Sequence, residues 1–370
     1  MTTKPFSADV LSSAIAVALL PVAATAQTEP APATIAATDA AATTSAAAQE
    51  MAKPAAEMQT VLDKLAELGA KPLHSLTVDQ ARAQPTPADA VAAVMADKGI
   101  DPGPAAAIAT RDIVIPGPAS DIKARVYIPP GDGPFPVIVY YHGGGWVIAD
   151  LDTYDASARA LSLGVGAVVV SSHYRQGPED VFPAAHDDAY AAYVWVVENS
   201  GTLNGDSARM AVAGESAGGN LAANVTIMAR DAKITMPLHQ LLVYPVAGND
   251  MNTPSYLENA NAAPLGKADM AWFVEHAFAA KDDTADPRLN LVDRTDLSGL
   301  PPATLITAQI DPLRSESIAY GEALQAAGGK VAMMNYDAVT HEFFGMGAVV
   351  PQAVEAMDLA VTELKAAFGN

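Results

Sequence analysis

Short apolar runs alternate along the chain with longer segments of helical periodicity. The runs predict strands at residues 113–115, 124–128, 137–141, 167–171, 210–213, 241–244, 303–308 and 331–336. The intervening segments predict helices at residues 187–199, 220–231, 316–327 and 352–368. Since strands that alternate with helices form mostly parallel sheets covered on both faces, the pattern indicates an α/β fold with a central sheet flanked by helices.

Two more helices are predicted ahead of the first strand. Apolar side chains recur at helical spacing from Met58 to Leu68, and Gly69 can end that helix. The second helix is predicted at residues 87–98, with Thr86 as its N-cap and a proline in its first turn. An apolar stripe of this kind usually serves packing rather than ligand binding.

The first 50 residues have a different character. Residues 10–26 are apolar and rich in alanine, follow Lys4 and end in a small-x-small triplet, which predicts a secretory signal at residues 1–26 that is cleaved after Ala26. This stretch is too short to span a membrane, so we expect no stable membrane insertion. Residues 27–50 are nearly all Ala, Thr and Pro and predict a disordered linker. The expected location is outside the cytoplasm, either periplasmic or secreted.

Composition excludes several classes of chemistry. The 370 residues contain no cysteine, which excludes disulfides, thiolate catalysis and cysteine metal sites. No His-Glu-x-x-His pattern or dense carboxylate cluster suggests a metal, so we expect neither a metal nor a cofactor. The formal charge of −21 argues against binding to nucleic acid or to an anionic membrane.

The most informative chemical signal is the sequence Gly-Glu-Ser-Ala-Gly at residues 214–218. It directly follows a predicted strand and leads into a predicted helix. This arrangement lifts a serine hydroxyl out of a tight turn, so Ser216 is a candidate nucleophile. The pattern alone also occurs in ordinary turns and needs support from elsewhere in the chain.

A second glycine cluster provides that support. His142, Gly143, Gly144, Gly145 and Trp146 follow the predicted strand at residues 137–141. A loop of three glycines can turn its backbone N–H groups toward a small anion. Such donors are what the tetrahedral intermediate of acyl transfer requires.

A nucleophilic serine also needs a base and an orienting acid. Three histidines follow Ser216 in the sequence. His239 opens an apolar run and His276 lies in an amphipathic segment, so both favour packing roles, whereas His341 lies in a loop that suits a base. Asp311 ends a predicted strand and is the candidate acid, although an Asp before Pro312 can also simply cap a helix.

In several blocks the sequence resembles the bacterial esterases related to mammalian hormone-sensitive lipase, known as lipolytic family IV. The resemblance runs from about residue 55 to the C-terminus. It rests on the glycine cluster at 142–146, Tyr-Arg at 174–175, Pro-Glu at 178–179, Phe-Pro-Ala-Ala at 182–185, the serine motif at 214–219, Asp-Pro-Leu-Arg at 311–314, and His341. The resemblance implies an α/β-hydrolase fold with a helical cap.

The resemblance also implies roles for particular residues. Ser216 would be the nucleophile, His341 the general base and acid, and Asp311 its partner. The oxyanion hole would be formed by the N–H groups of Gly144, Gly145 and Ala217. His142 would shape the glycine loop without transferring protons.

For the organisation of the chain, the resemblance implies cap helices at residues 51–98. A catalytic domain would occupy residues 99–370, with a cap insertion at about 251–292. Five large side chains of that insertion would line an apolar acyl pocket: Tyr256, Met270, Trp272, Phe273 and Phe278. Homodimers occur among the relatives, so a homodimer is possible here.

Two of the departures from the family pattern lie next to candidate catalytic residues. Glu215 precedes the nucleophile where Asp is commoner, and Glu342 follows the base where Gly is usual. Neither change removes a group that the chemistry uses. The sequence therefore predicts a serine carboxylesterase acting with water on small-molecule esters of short to medium acyl chain. Amide, lactone or formamide hydrolysis by the same triad and non-catalytic ligand binding are the alternatives.

Overall fold

The structure is a computed structural model and describes residues 51–369. The predicted signal segment at residues 1–26 and the predicted linker at residues 27–50 lie outside the described residues. The predicted cap helices and catalytic domain lie within them, apart from the last residue.

Within residues 51–369, eight strands form one sheet. They are β1 (Ala109–Ile115), β2 (Ile122–Ile128), β3 (Phe135–Tyr141), β4 (Val168–Ser172), β5 (Gly205–Glu215), β6 (Gln240–Val243), β7 (Ala303–Ile310) and β8 (Val331–Thr340). Their order is β1-β2-β4-β3-β5-β6-β7-β8. The β1–β2 and β2–β4 pairs are antiparallel and the remaining pairs are parallel. The predicted α/β class and mostly parallel sheet are confirmed.

Helices precede the sheet and connect its strands. They are α1 (Ala56–Glu67), α2 (Val78–Ala83), α3 (Pro87–Lys98), α4 (Asp155–Val165), α5 (Ala184–Asn199), α6 (Ala217–Ala232), α7 (Pro254–Glu258), α8 (Lys267–Ala277), α9 (Arg314–Ala326) and α10 (Pro351–Phe368). Helix α3 has the predicted bounds, and Thr86 caps it by accepting the N–H of Asp89. Sequence analysis missed α4, because its buried face includes Ser157 and Ser162, which dilute the apolar periodicity.

Strand β3 shows why this sheet is covered on both faces. Six of its seven residues are buried. Val137, Val139 and Tyr141 belong to the apolar core on one side of the sheet, whereas Ile138 and Tyr140 belong to the core on the other. Because successive side chains of a strand point to opposite faces, a nearly continuous apolar strand requires helices on both.

The parallel strands all end at the same edge of the sheet. The glycine cluster follows β3, Ser216 follows β5, and Asp311 and His341 follow β7 and β8. The loops after parallel strands are where α/β proteins place their ligand sites. No helix in the described part of the chain is long and apolar enough to cross a membrane.

Candidate active site

Ser216 lies in the sharp turn between β5 and α6. Its backbone is in an unusual conformation, with φ of 57° and ψ of −120°. A Cβ atom at Gly214 would lie 2.1 Å from the carbonyl oxygen of Gly218, and one at Gly218 would lie 2.0 Å from that of Tyr141. The two glycines are therefore required by the close approach of backbone in this turn.

The structure brings three of the sequence-predicted side chains together in one hydrogen-bonded row. The Nε2 atom of His341 lies 2.9 Å from the Ser216 hydroxyl, and its Nδ1 atom lies 2.7 Å from Oδ2 of Asp311. All three side chains are buried. Because a carboxylate can only accept, the His341 Nδ1–H donates to Asp311, and Nε2 is left to accept the Ser216 proton.

Asp311 accepts hydrogen bonds from the imidazole and from the backbone just ahead of α9, but the N-cap of that helix is Leu313. While Oδ2 accepts from His341, Oδ1 accepts the backbone N–H of Leu313 at 2.8 Å, at the approach to α9. Burial lowers the pKa of His341, but Asp311, and after it Glu342 and Glu215, together more than offset this, so that the pKa lies above its ordinary value. The row can thus take up and hold a proton on the imidazole.

The other two downstream histidines lie elsewhere. The Nε2 atom of His239 is 2.8 Å from the Thr304 hydroxyl, and burial lowers the pKa of this histidine to about 4. The Nδ1–H of His276 donates to the carbonyl of Trp272 within α8. Both occupy the packing positions that the sequence predicts.

The glycine loop lies between β3 and α4. Gly144 and Gly145 have φ of 93° and 57°, in the region that favours glycine, and Trp146 has φ of 60°. A Cβ atom at Gly145 would lie 2.2 Å from the Phe273 ring. Among the described residues, no hydrogen-bond acceptor is recorded for the N–H groups of Gly144, Gly145 or Ala217.

His142 is buried behind this loop and makes no recorded contact with Ser216. Its Nδ1–H donates to the carbonyl of Gly143, so its Nε2 accepts from Nδ1 of His173, 2.9 Å away. The hydroxyl of Tyr174 donates to the carbonyls of His142 and Gly143. Burial lowers the pKa of His142 to about 3, and the ring stays neutral. This geometry suits a residue that shapes the loop.

Glu215 is buried beneath the nucleophile. The Tyr140 hydroxyl donates to its Oε1 at 2.5 Å and the Tyr244 hydroxyl donates to its Oε2. Burial raises the pKa of Glu215 to about 7. The Tyr244 ring also packs on His341, with ring centroids 4.4 Å apart. Sequence analysis missed both tyrosines, although each lies at the carboxyl end of a predicted strand, which is a signal that could have found them.

A cavity of about 2040 Å³ opens above the serine. Its lining includes Ser216, His341, the glycine loop and residues of α1. Three of the five large side chains expected from the insertion also line it: Tyr256, Met270 and Phe273. Trp272 and Phe278, which were expected to line it, pack instead against neighbouring segments. The Trp272 Nε1–H donates to the Leu76 carbonyl, and the Phe278 ring packs edge-to-face against Trp146.

The N-terminal segment and the insertion contact each other. The backbone N–H of His74 donates to Oδ1 of Asp269, and the His74 ring lies 2.8 Å from the same oxygen. Segments nearly 200 positions apart in the sequence thus meet over the serine. Within residues 51–369, no cluster of three metal-ligating side chains is present.

Comparisons with known proteins agree with this geometry. A family model described as the alpha/beta hydrolase fold matches residues 138–345, more than half of the chain. Carboxylesterase NlhH of Mycobacterium tuberculosis is 44% identical over 237 residues, which cover 63% of this chain and 74% of that protein. Ethyl acetate hydrolase of Pseudomonas putida is 32% identical over 298 residues, covering 80% of this chain and 92% of that protein.

A solved esterase structure has the same fold. A thermostable esterase from Pseudomonas putida ECU1011 is 33% identical, superposes with a TM-score of 0.77, and matches 85% of this chain and 98% of its own. The same fold is indicated by the order of strands in the sheet, by the serine turn between β5 and α6, and by the family match. The chain belongs to the α/β-hydrolase family, in its hormone-sensitive-lipase-like group.

Proposed function

We propose that the protein hydrolyses carboxylic esters through an acyl-serine intermediate. The observation that carries this proposal is the buried row of Ser216, His341 and Asp311, with hydrogen-bond distances of 2.9 and 2.7 Å. A serine hydroxyl within reach of an oriented imidazole is the arrangement that activates this nucleophile. Relatives that are named carboxylesterase and ethyl acetate hydrolase support the same reaction.

In the proposed mechanism, Nε2 of His341 takes the Ser216 proton as the oxygen attacks the ester carbonyl. The tetrahedral oxyanion is bound by the N–H groups of Gly144, Gly145 and Ala217, for which no acceptor is recorded among residues 51–369. His341 then gives its proton to the departing alcohol. Water repeats the sequence and releases the acid, while Asp311 stabilises the imidazolium in both half-reactions.

The proposed substrates carry short to medium acyl chains. Phe273 lies directly over the glycine loop, where a single added methyl at Gly145 would meet its ring. The cavity is larger than an ordinary ligand pocket of about 300–1,000 Å³ and extends away from the serine along the N-terminal segment. We therefore expect the Phe273 ring, rather than the total volume, to limit the acyl chain.

A series of chromogenic esters from acetyl to dodecanoyl tests this proposal. Wild type should be fastest between acetyl and hexanoyl esters, and Ser216→Ala should lose at least about 10⁴-fold in kcat with unchanged circular dichroism, because nucleophile and base act as a unit. Matched amide substrates run alongside separate esterase from amidase activity. Rates that rise toward long chains contradict the substrate class, and an active Ser216→Ala variant contradicts the mechanism.

We also propose that the protein is exported from the cytoplasm and that two copies form a homodimer. The apolar segment that ends at Ala26 supports export, and cell fractionation with N-terminal sequencing would find a mature chain that starts at residue 27. A homodimer would elute at twice the mass of the mature chain in size-exclusion chromatography with light scattering.

A further inference from the structure

A second carboxylate faces the reacting nitrogen of His341. The Oε1 atom of Glu342 lies 3.7 Å from His341 Nε2, the same nitrogen that lies 2.9 Å from the Ser216 hydroxyl. Asp311 contacts the other ring nitrogen. The imidazole is thus placed between two carboxylates, one on each side of the ring.

The fold holds Glu342 in this place at a conformational cost. Its φ of 74° lies in the left-handed region, which is strained for an L residue and favours glycine. Its Oε1 accepts the Tyr154 hydroxyl at 2.7 Å. Tyr154 is itself fixed against the glycine loop, since a Cβ atom at Gly143 would lie 2.3 Å from the same hydroxyl oxygen. The carboxylate is therefore oriented by the structure around it.

Burial raises the pKa of Glu342, and the positive charge of a protonated His341 opposes that rise. Within residues 51–369, the ion pair recorded for Glu342 is the one with His341. The titratable groups that face the pair are otherwise acids: Asp311, Glu215 with its two tyrosines Tyr140 and Tyr244, and the phenols of Tyr154 and Tyr174. A positive charge on the imidazole thus relieves the repulsion between the Asp311 and Glu342 carboxylates.

We propose that Glu342 is a positioning residue for His341, whose carboxylate stabilises the imidazolium formed while Ser216 attacks. The inference rests on the proposed ester hydrolysis and adds to it a group outside the Ser-His-Asp row. Glu342 makes no bond to the substrate in this role. It acts through the charge and orientation of His341.

The proposal predicts a shifted pH profile. Asp311, then Glu342, raise the pKa of His341 against the effect of burial. The base works when neutral, so kcat/KM rises with pH through this pKa. Glu342→Gln keeps the size of the side chain and an oxygen for Tyr154 but removes the charge. We expect the midpoint of the rising limb to move about one pH unit lower and kcat on the plateau to fall about tenfold.

The control is Asp337→Asn, which removes one negative charge from an exposed position of β8. It should leave the midpoint and kcat unchanged. A merely structural role for Glu342 would lower kcat at every pH without moving the midpoint. That result, or an unchanged profile in Glu342→Gln, overturns the proposal.

A second measurement does not depend on ester turnover. The ¹⁵N chemical shifts of the His341 ring, assigned by their loss in His341→Gln, report its protonation directly. The midpoint of this titration should fall by about one unit in Glu342→Gln and stay in place in Asp337→Asn. If wild type fails to hydrolyse esters but the titration shifts, only the proposed function fails; if esters are hydrolysed and neither midpoint moves, only this inference fails.

Discussion

Replacing Asp311 by Asn tests the proton arrangement of the site. In the structure, Oδ1 of Asp311 accepts the Leu313 N–H and Oδ2 accepts the His341 Nδ1–H. An asparagine has one oxygen and one NH₂ group in the same two places. If its oxygen stays on Leu313, the NH₂ group faces Nδ1, which must then accept. The proton of a neutral imidazole moves to Nε2, and His341 can no longer take the proton of Ser216.

The size of the effect follows from these contacts. Holding the wrong tautomer should cost about 10⁴-fold in kcat, which is about 5.5 kcal/mol of barrier. If the side-chain amide of Asn at position 311 were rotated by 180°, its oxygen would face Nδ1 of His341 and the productive tautomer would be restored. Its NH₂ group would then face the buried Leu313 N–H, and the two unpaired donors would cost about 1–3 kcal/mol. Because Asp311 is fully buried, no solvent can satisfy the displaced donor. We therefore expect the first arrangement to dominate.

The assay is kcat for a butyryl ester, measured with a thermal melt of each variant. Asp311→Asn should lose about 10⁴-fold in kcat while it still unfolds in one transition. A loss smaller than about tenfold in a folded variant would refute the reasoning, since it would mean that the tautomer of His341 does not depend on Asp311. Loss of folding would be seen in the melt and kept separate from loss of chemistry.

Two further predictions concern the loop and the buried carboxyl. Gly145→Ala should lower kcat at least about 100-fold, because the new methyl would meet the Phe273 ring and displace the loop. The control is Gly166→Ala, which should keep wild-type kcat: Gly166 also has positive φ, but its added methyl would meet no atom of the described residues within 4 Å beyond its chain neighbours and its own helix backbone. Because burial raises the pKa of Glu215 from 4.5 to about 7, the folded state binds its proton more tightly, so stability should fall as pH rises from about 4.5 to 7. Thermal melts of Glu215→Gln should lack this part of the pH dependence, and an equally steep decline in both proteins would contradict the assignment.

Most of the fold could be predicted from local patterns. Each predicted strand overlaps an observed strand, and the predicted helix at residues 87–98 coincides with α3. Helix α4 was missed because two buried serines interrupt its apolar stripe. Trp272 and Phe278 were placed in the pocket as large side chains of the expected cap insertion, and the structure packs them outside it. Periodicity identifies a buried face, but it does not say which neighbour covers that face.

The sequence by itself determined the α/β class, the kinds of chemical group present, and their order along the chain. Only the tertiary structure decided which groups meet, because Ser216 and His341 are 125 positions apart and approach only when β5 and β8 take their places in one sheet. It also decided that Asp311 accepts from both the Leu313 backbone and the His341 ring, and that Glu342 faces the same ring nitrogen as the serine. Local patterns reflect local backbone preferences, whereas these contacts depend on how distant segments pack, which no short stretch of sequence encodes.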